Sequence, residues 1–318
     1  MEATAMNDLG ILFPGQGTQR PGMGRPWQQT EAWALIGDMS EWTGVDLAWL
    51  LLEADAGELR RTDRAQLAVF AAGVLAHAEA GRLGLLSGAV AYAGHSLGEY
   101  VALYAAGAIR LKDAAHLVAE RGGAMREAAA ARPGAMAAVK DAVAQDVEGV
   151  LGACRAAGFE VWSANLNAPN QVVVSGTDDG VAAACERVEE DLGARWVRLD
   201  VGGAFHSPLM EPAAKRLWSA LRHAGFAAEH APVVANVDAR THVDGADWPR
   251  LMEQQLTAPV RWEECVRTLI GKMGCGRFLE LGPGRTLGGL AARIDARIPA
   301  VSAGTPEALA ALVRAEAA

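Results

Sequence analysis

The sequence predicts an α/β fold in which a small subdomain of β-α-β-β-α-β order, the ferredoxin-like arrangement, is inserted into a larger α/β subdomain. Three observations lead there. Strand-like and helical periodicities alternate in that order from residue 134 to residue 201. Arg132-Pro133-Gly134 and Gly202-Gly203 bracket the segment with compositions that suit hinges. Outside it, apolar runs lead into glycine-rich turns and then into helical periodicity, the mark of strand-turn-helix units. Residues 1–131 and 202–318 then form the large subdomain and 132–201 the small one. A cleft between two such units is a common place for a small-molecule site.

In chain order, residues 10–13 read as a buried strand that runs into Pro14-Gly15-Gln16-Gly17-Thr18-Gln19. Such a turn presents backbone N–H groups to an anion or an oxyanion. No Gly-Lys-Ser/Thr follows, so it is not a phosphate loop, and the glycine spacing does not fit a dinucleotide fingerprint. Residues 27–59 are mixed and helical. Thr62 and Asp63 then offer N-caps to a helix over 64–79. His77, inside it, reads as a packed or surface histidine.

The next unit carries the strongest signal. Residues 89–92 are apolar and β-favouring, residues 101–109 are helical, and Gly94-His95-Ser96-Leu97-Gly98 lies between. In that context Gly-x-Ser-x-Gly is a nucleophile elbow, with Ser96 forced outward at a helix N-terminus and the Leu97 amide free to meet an oxyanion. A Gly/Ser turn before a buried helix is the plainer alternative. The helix over 112–130 contains Glu120-Arg121-Gly122-Gly123. Each glycine costs a helix roughly 1 kcal/mol, so a close backbone approach or a ligand is expected beside Arg121, against the plainer option of a surface ion pair with Glu120.

Within the insert, residues 134–140, 160–166, 171–176 and 195–201 read as strands and 142–157 and 178–192 as helices. Beyond it, Ala204-Phe205-His206-Ser207 leads into a helix over 210–224. Ser96 needs a base within hydrogen-bond reach. Spacing does not choose among seven histidines, although one at the hinge of the insert, His206, is favoured. The last third returns to α/β character, with strands at 232–236 and 277–281, a helix ending at Leu256, the sharp turn Gly282-Pro283-Gly284, and a terminal helix started by Thr305-Pro306-Glu307 and running to Ala317.

Half of the 318 residues are hydrophobic, so core burial is not limiting, and a net charge of −9 argues against a nucleic-acid or acidic-membrane binder. Cys154, Cys185, Cys265 and Cys275 are scattered, without metal-ligand spacing, and read as reduced core thiols of a cytosolic protein. The longest uncharged apolar stretch, residues 65–78, is too short for a membrane span, and no export signal is visible.

Several segments together resemble one family, the malonyl-CoA:acyl carrier protein transacylases and the related acyltransferase domains of polyketide synthases. They are residues 13–19, 94–100, Glu120-Arg121-Gly122, Gly134-Ala135-Met136, Asn165-Leu166-Asn167-Ala168-Pro169, 204–207, Gln255-Leu256 before Pro259-Val260, and Glu280-Leu281-Gly282-Pro283-Gly284. They span nearly the whole chain in the family's order. The resemblance implies an α/β-hydrolase-like large subdomain carrying the ferredoxin-like one. It implies that Ser96 attacks an acyl-CoA thioester, that His206 takes its proton, and that the phosphopantetheine thiol of an acyl carrier protein then accepts the acyl group. Further implications are an oxyanion hole of the Gln16 and Leu97 amides and a substrate-binding set of Arg121, Phe205 and Gln255. In that set Arg121 pairs with a malonyl-type carboxylate, Phe205 leaves little room for an α-methyl branch, and the Gln255 backbone carbonyl orients His206.

By the same resemblance malonyl-CoA and the carrier protein are the partners and the coenzyme A thioester is substrate, without a separate cofactor or metal, in a cytoplasmic monomer. Fatty-acid and polyketide synthesis both stay open. Gly202-Gly203 depart from the larger or polar residues that relatives often carry there, and Asn165 and Asn167 match the motif or simply satisfy a turn. Two other functions compete: a hydrolase that clears carrier proteins with the same Ser96 and His206, and a non-enzymatic carrier-protein docking module.

Overall fold

A computed structural model describes residues 8–242, 245 and 247–316. The described residues open with β1 (Leu9–Phe13), α1 (Leu35–Thr43), α2 (Leu47–Leu52), α3 (Ala56–Arg60) and α4 (Thr62–Arg82), followed by β2 (Ala89–Gly94), α5 (Gly98–Ala105) and α6 (Leu111–Ala131). Next come β3 (Ala135–Lys140), α7 (Ala144–Ala156), β4 (Val161–Ala168), β5 (Gln171–Gly176), α8 (Asp178–Leu192) and β6 (Arg195–Arg198). The last third holds α9 (Glu211–Leu221), β7 (Val233–Val234), β8 (Thr241–His242), α10 (Trp248–Gln255), α11 (Trp262–Gly271), β9 (Arg277–Leu281), α12 (Thr286–Ile294), β10 (Ala300–Ala303) and α13 (Pro306–Glu316).

Two sheets result. The larger has the order β10-β9-β1-β2-β7-β8, parallel except for the β7/β8 hairpin. It is covered on both faces, as parallel sheets are. Ile11, Phe13, Tyr92 and Val233 pack with α4, α5 and α6, whereas Leu12, Ala91, Ala93 and Val234 pack with α11 and α12. The smaller sheet is antiparallel, in the order β4-β5-β3-β6, and buries Val139, Val161, Val172 and Val174 against α7 and α8. Its element order is the β-α-β-β-α-β read from the sequence. The two sheets meet where Val260, ahead of α11, exchanges backbone hydrogen bonds of 2.9 Å with Ala164 and Leu166 of β4.

Close backbone packing sets the site. Phe13 and Gly94 are level in the β1/β2 register, so the turns after them lie side by side. A Cβ on Gly94 would come within 1.9 Å of the Gly98 carbonyl carbon, and one on Gly98 within 2.1 Å of the Phe13 carbonyl oxygen. The elbow therefore closes only with glycine at both positions. Gly15 has its own contact, since a Cβ there would fall 2.5 Å from the His95 carbonyl oxygen and push the first turn away from the elbow.

Several sequence expectations are corrected. Thr62 does not cap α4: it is the first helical residue, Arg61 occupies the cap without a side-chain bond, and the Thr62 hydroxyl turns inward instead. Strand β6 ends at Arg198, and β7 is two residues long because only Val233 and Val234 find strand partners. Thr305 does cap the terminal helix, its hydroxyl accepting from Ala308 N–H at 3.3 Å, while Ala317 lies outside the described residues. All four cysteines are buried free thiols.

Candidate active site

Ser96 stands on the elbow between β2 and α5 with φ of +50°, and His206, on the loop before α9, has φ of +57°. Left-handed backbone is rare for non-glycine residues and is held here by the surrounding structure. The two side chains meet: Ser96 Oγ is 2.7 Å from His206 Nε2. On the other side of the ring, Nδ1 donates to the Gln255 carbonyl oxygen at 2.7 Å. Gln255 ends α10, so that carbonyl lacks an intrahelical partner and lies at the negative end of the helix dipole. The bond fixes the tautomer and leaves the Nε2 lone pair for the serine proton. Burial, with the Arg121 charge second, pushes His206 down to about 3, so the imidazole is neutral at ordinary pH.

Arg121, in the middle of α6, is buried rather than paired with Glu120, which contacts Arg216 instead. Its Nη1 donates to Gln66 Oε1 at 2.5 Å, while Nη2 donates to Gln255 Oε1 at 2.9 Å and to Ser96 Oγ at 3.1 Å. The Tyr100 ring lies 5.7 Å from the guanidinium carbon. The expected close approach is found at Gly122, where a Cβ would sit 2.9 Å from the Asp63 Cα of α4. Gly123 has no such contact, since the nearest atom would be Arg216 Nη2 at 3.6 Å.

Gln16, Arg121, Phe205 and His206 surround a cavity of about 90 Å³ above Ser96, together with Met136 and Asn165 from the small sheet. It continues past Gln16 and Asn165 into a cleft of about 480 Å³ between the two sheets. Among the described residues the N–H groups of Gln16 and Leu97 donate to no protein acceptor. Phe205 is buried, and its ring folds toward Gly203, where a Cβ would meet it at 3.0 Å. All seven residues singled out for the site thus converge on one place.

Sequence reasoning missed a layer behind them. Asn236, after β7, accepts from Ser96 N–H at 2.7 Å through Oδ1 and donates to the Gly94 carbonyl at 2.8 Å through Nδ2. Glu99 is buried and accepts from Asn236 N–H at 2.8 Å and from the Gln255 side-chain amide. Burial pushes its carboxyl up to about 8 against those two donors. His95 donates through Nε2 to Asn167 Oδ1 at 2.8 Å, which ties the elbow to β4. No cluster of metal-ligand type occurs among the described residues.

A serine on a strand-turn-helix elbow, bonded to a buried histidine and beside two free amides, is equipped for acyl transfer. The profile of the acyl transferase domain family matches residues 11–287. The chain belongs to that family. A malonyl CoA-acyl carrier protein transacylase of Bacillus subtilis is 38% identical over 306 residues, covering 96% of each chain. The polyketide biosynthesis protein ThaF of Burkholderia thailandensis is 37% identical over 289 residues, which are 89% of this chain and 24% of that protein. Among solved structures, a malonyl-CoA:acyl carrier protein transacylase from Xanthomonas oryzae pv. oryzae superposes with a TM-score of 0.89 at 37% identity, covering 98% of this chain and 99% of that one. In this acyl transferase domain the contacts of Asn236, Glu99 and Gln66 to the site were not legible locally, because they run to Ser96, Gln255 and Arg121, each far along the chain. Among the described residues no helix is long and apolar enough to cross a membrane.

Proposed function

We propose that this acyl transferase moves a malonyl group from coenzyme A to the phosphopantetheine thiol of an acyl carrier protein through an acyl-serine. Ser96 Oγ attacks the thioester carbonyl while its proton passes to His206 Nε2, and the oxyanion is held by the amides of Leu97 and Gln16. Collapse expels the coenzyme A thiolate, which takes the proton from His206. In the second half the carrier thiol gives its proton to His206 and attacks the acyl-serine, and Ser96 recovers the proton as it leaves. Each oxyanion donor of this kind is worth about 3 kcal/mol in the transition state.

One observation carries the choice of acyl group: a buried guanidinium 3.1 Å from the nucleophile. Three of its five N–H groups are used by Gln66, Gln255 and Ser96, and Nε has no acceptor among the described residues. A carboxylate at the far end of a short acyl group would take the remaining donors and neutralise the charge. An uncharged acyl chain would leave them unmet, which disfavours the carrier-clearing hydrolase. The Phe205 ring in the cavity wall supports preference for malonyl over α-branched groups. The same reading makes the protein a cytoplasmic monomer with no cofactor beyond the thioester it consumes, built from the two subdomains 1–131 with 202–318 and 132–201.

Intact mass after mixing with malonyl-, methylmalonyl- and acetyl-CoA tests the proposal. Wild type should gain one malonyl group and Ser96→Ala none; a labelled Ser96→Ala protein would refute the mechanism.

A further inference from the structure

We infer that Thr62 is a positioning residue, whose single buried hydroxyl holds the Gln16 turn in register with the Arg121 clamp. The inference rests on the function proposed above, which assigns the Gln16 amide to the oxyanion and Arg121 to the substrate carboxylate. Thr62 itself touches neither.

The argument starts from Gly122. Its missing Cβ lets α6 lie against α4 at Asp63, so Arg121 reaches the first turns of α4 directly. There Gln66 Oε1 accepts from Arg121 Nη1 at 2.5 Å, and Gln66 Nε2 donates to Thr62 Oγ1 at 3.0 Å. Thr62 Oγ1 in turn donates to Gln16 Oε1 at 2.8 Å. The row has one direction. A guanidinium only donates, so Gln66 must present its carbonyl to Arg121 and its amide nitrogen to Thr62, which leaves the one Thr62 proton for Gln16. Flipping the Gln66 amide breaks the row. The turn has a second anchor on the same stretch, from Gln19 Nε2 to the Leu59 carbonyl at 3.1 Å. Gln16 is therefore held at a fixed distance from the guanidinium through Thr62 and Gln66, and with it the amide that would face the reacting carbonyl.

The test compares wild type with Thr62→Val, which removes the hydroxyl at constant volume, Thr62→Ser, which restores it, Gln16→Ala, which keeps the backbone amide, and the Thr62→Val/Gln16→Ala double variant. Acyl-serine formation from malonyl-CoA is timed by intact mass, and melting temperature is recorded in parallel. Removing an oxyanion donor outright slows such reactions about 10²–10³-fold, so a displaced one should slow acylation about 10-fold in Thr62→Val and in Gln16→Ala. Thr62→Ser should recover to within about twofold, and the double variant should be no slower than Gln16→Ala, because both single changes cut the same row. Wild-type speed in Thr62→Val, no recovery in Thr62→Ser, or multiplied losses in the double variant would each overturn the inference alone. If Thr62→Val does not fold, wild-type speed in Gln16→Ala overturns it equally. A wild type that malonyl-CoA does not label overturns the functional reading and this inference with it.

Discussion

Arg121 Nη2 lies 3.1 Å from Ser96 Oγ, although the two residues sit on different helical units 25 positions apart. The serine hydroxyl thus accepts from a cation while donating to a neutral imidazole. Cation, hydroxyl and base line one cavity, so on the proposed reading a single small molecule meets all three.

Arg121→Ala should lose malonyl transfer by at least about 100-fold in kcat/KM while acetyl transfer rises, since an unpaired carboxylate would then have to be buried. The same change strips the donor from the carbonyls of Gln66 and Gln255, so stability should fall by about 3 kcal/mol. Competition between malonyl- and acetyl-CoA, read by mass, checks the first statement and urea unfolding the second. An unchanged malonyl preference would remove the carboxylate pair.

The adjacent glycines of α6 should respond in opposite ways. Gly122→Ala drives a Cβ into the α4 backbone 2.9 Å away, which neither helix can yield cheaply, and should destabilise by about 1–3 kcal/mol. Gly123→Ala meets nothing closer than 3.6 Å and should stabilise by about 0.5–1 kcal/mol through helix propensity. Equal effects in a thermal melt would mean that the helices are not locked at Gly122.

The parts of the site legible in the sequence are those whose reason is local. Gly94 and Gly98 announce the elbow because the strand and helix around them are contiguous, and the insert shows itself through periodicity over 134–201. Arg121 stood out because two glycines in mid-helix are costly unless something approaches, and Gly122 answers to that reason while Gly123 does not. Asn236 gave no signal, for its partner Ser96 is 140 residues away and an asparagine after a short strand looks like any turn residue. Thr62 was misread for a related reason. Its position suited a cap, and only the fold brings Gln16, 46 residues earlier, to its hydroxyl. The strand read over 232–236 shrank to β7 and β8 was not read at all, because their extent is set by strand pairing and not by their own pattern.

Stability should peak near pH 6.5. Burial holds His206 down to about 3 and His77 to about 4, against 6.5 for a free histidine, so the unfolded chain binds more protons than the folded one between those values. Their contribution is complete above 6.5 and is lost as pH falls. Glu99 acts in reverse: raised from 4.5 to about 8, it favours the folded state fully below 4.5 and loses that contribution as pH rises through about 8. Each proton is worth about 1.4 kcal/mol per pH unit, so two histidines outweigh one carboxyl below 6.5 and Glu99 acts alone above it. Melting curves from pH 5 to 8.5 should show the peak, and Glu99→Gln should remove the decline above it; a decline of equal size in that variant would acquit Glu99.

Asn236→Ala tests how the elbow is held. The Ser96 peptide lies in a left-handed conformation that costs of order 1–3 kcal/mol. Asn236 opposes that cost at two points, accepting from Ser96 N–H and donating to the Gly94 carbonyl, one on each side of His95. Because Ser96 N–H is engaged there, the Leu97 amide is left as the elbow's free donor, the one the proposed mechanism assigns to the oxyanion. Alanine leaves two buried polar groups unmet and should lower stability by about 2–3 kcal/mol. It should also release the Ser96 peptide to rotate, which moves Oγ relative to His206 and the Leu97 amide relative to the oxyanion. Acylation should then slow by about 10–100-fold with little change in KM, since Arg121 and the acyl cavity do not depend on Asn236. A loss confined to KM, or a normal acylation rate in a destabilised protein, would mean that the elbow keeps its shape without this residue.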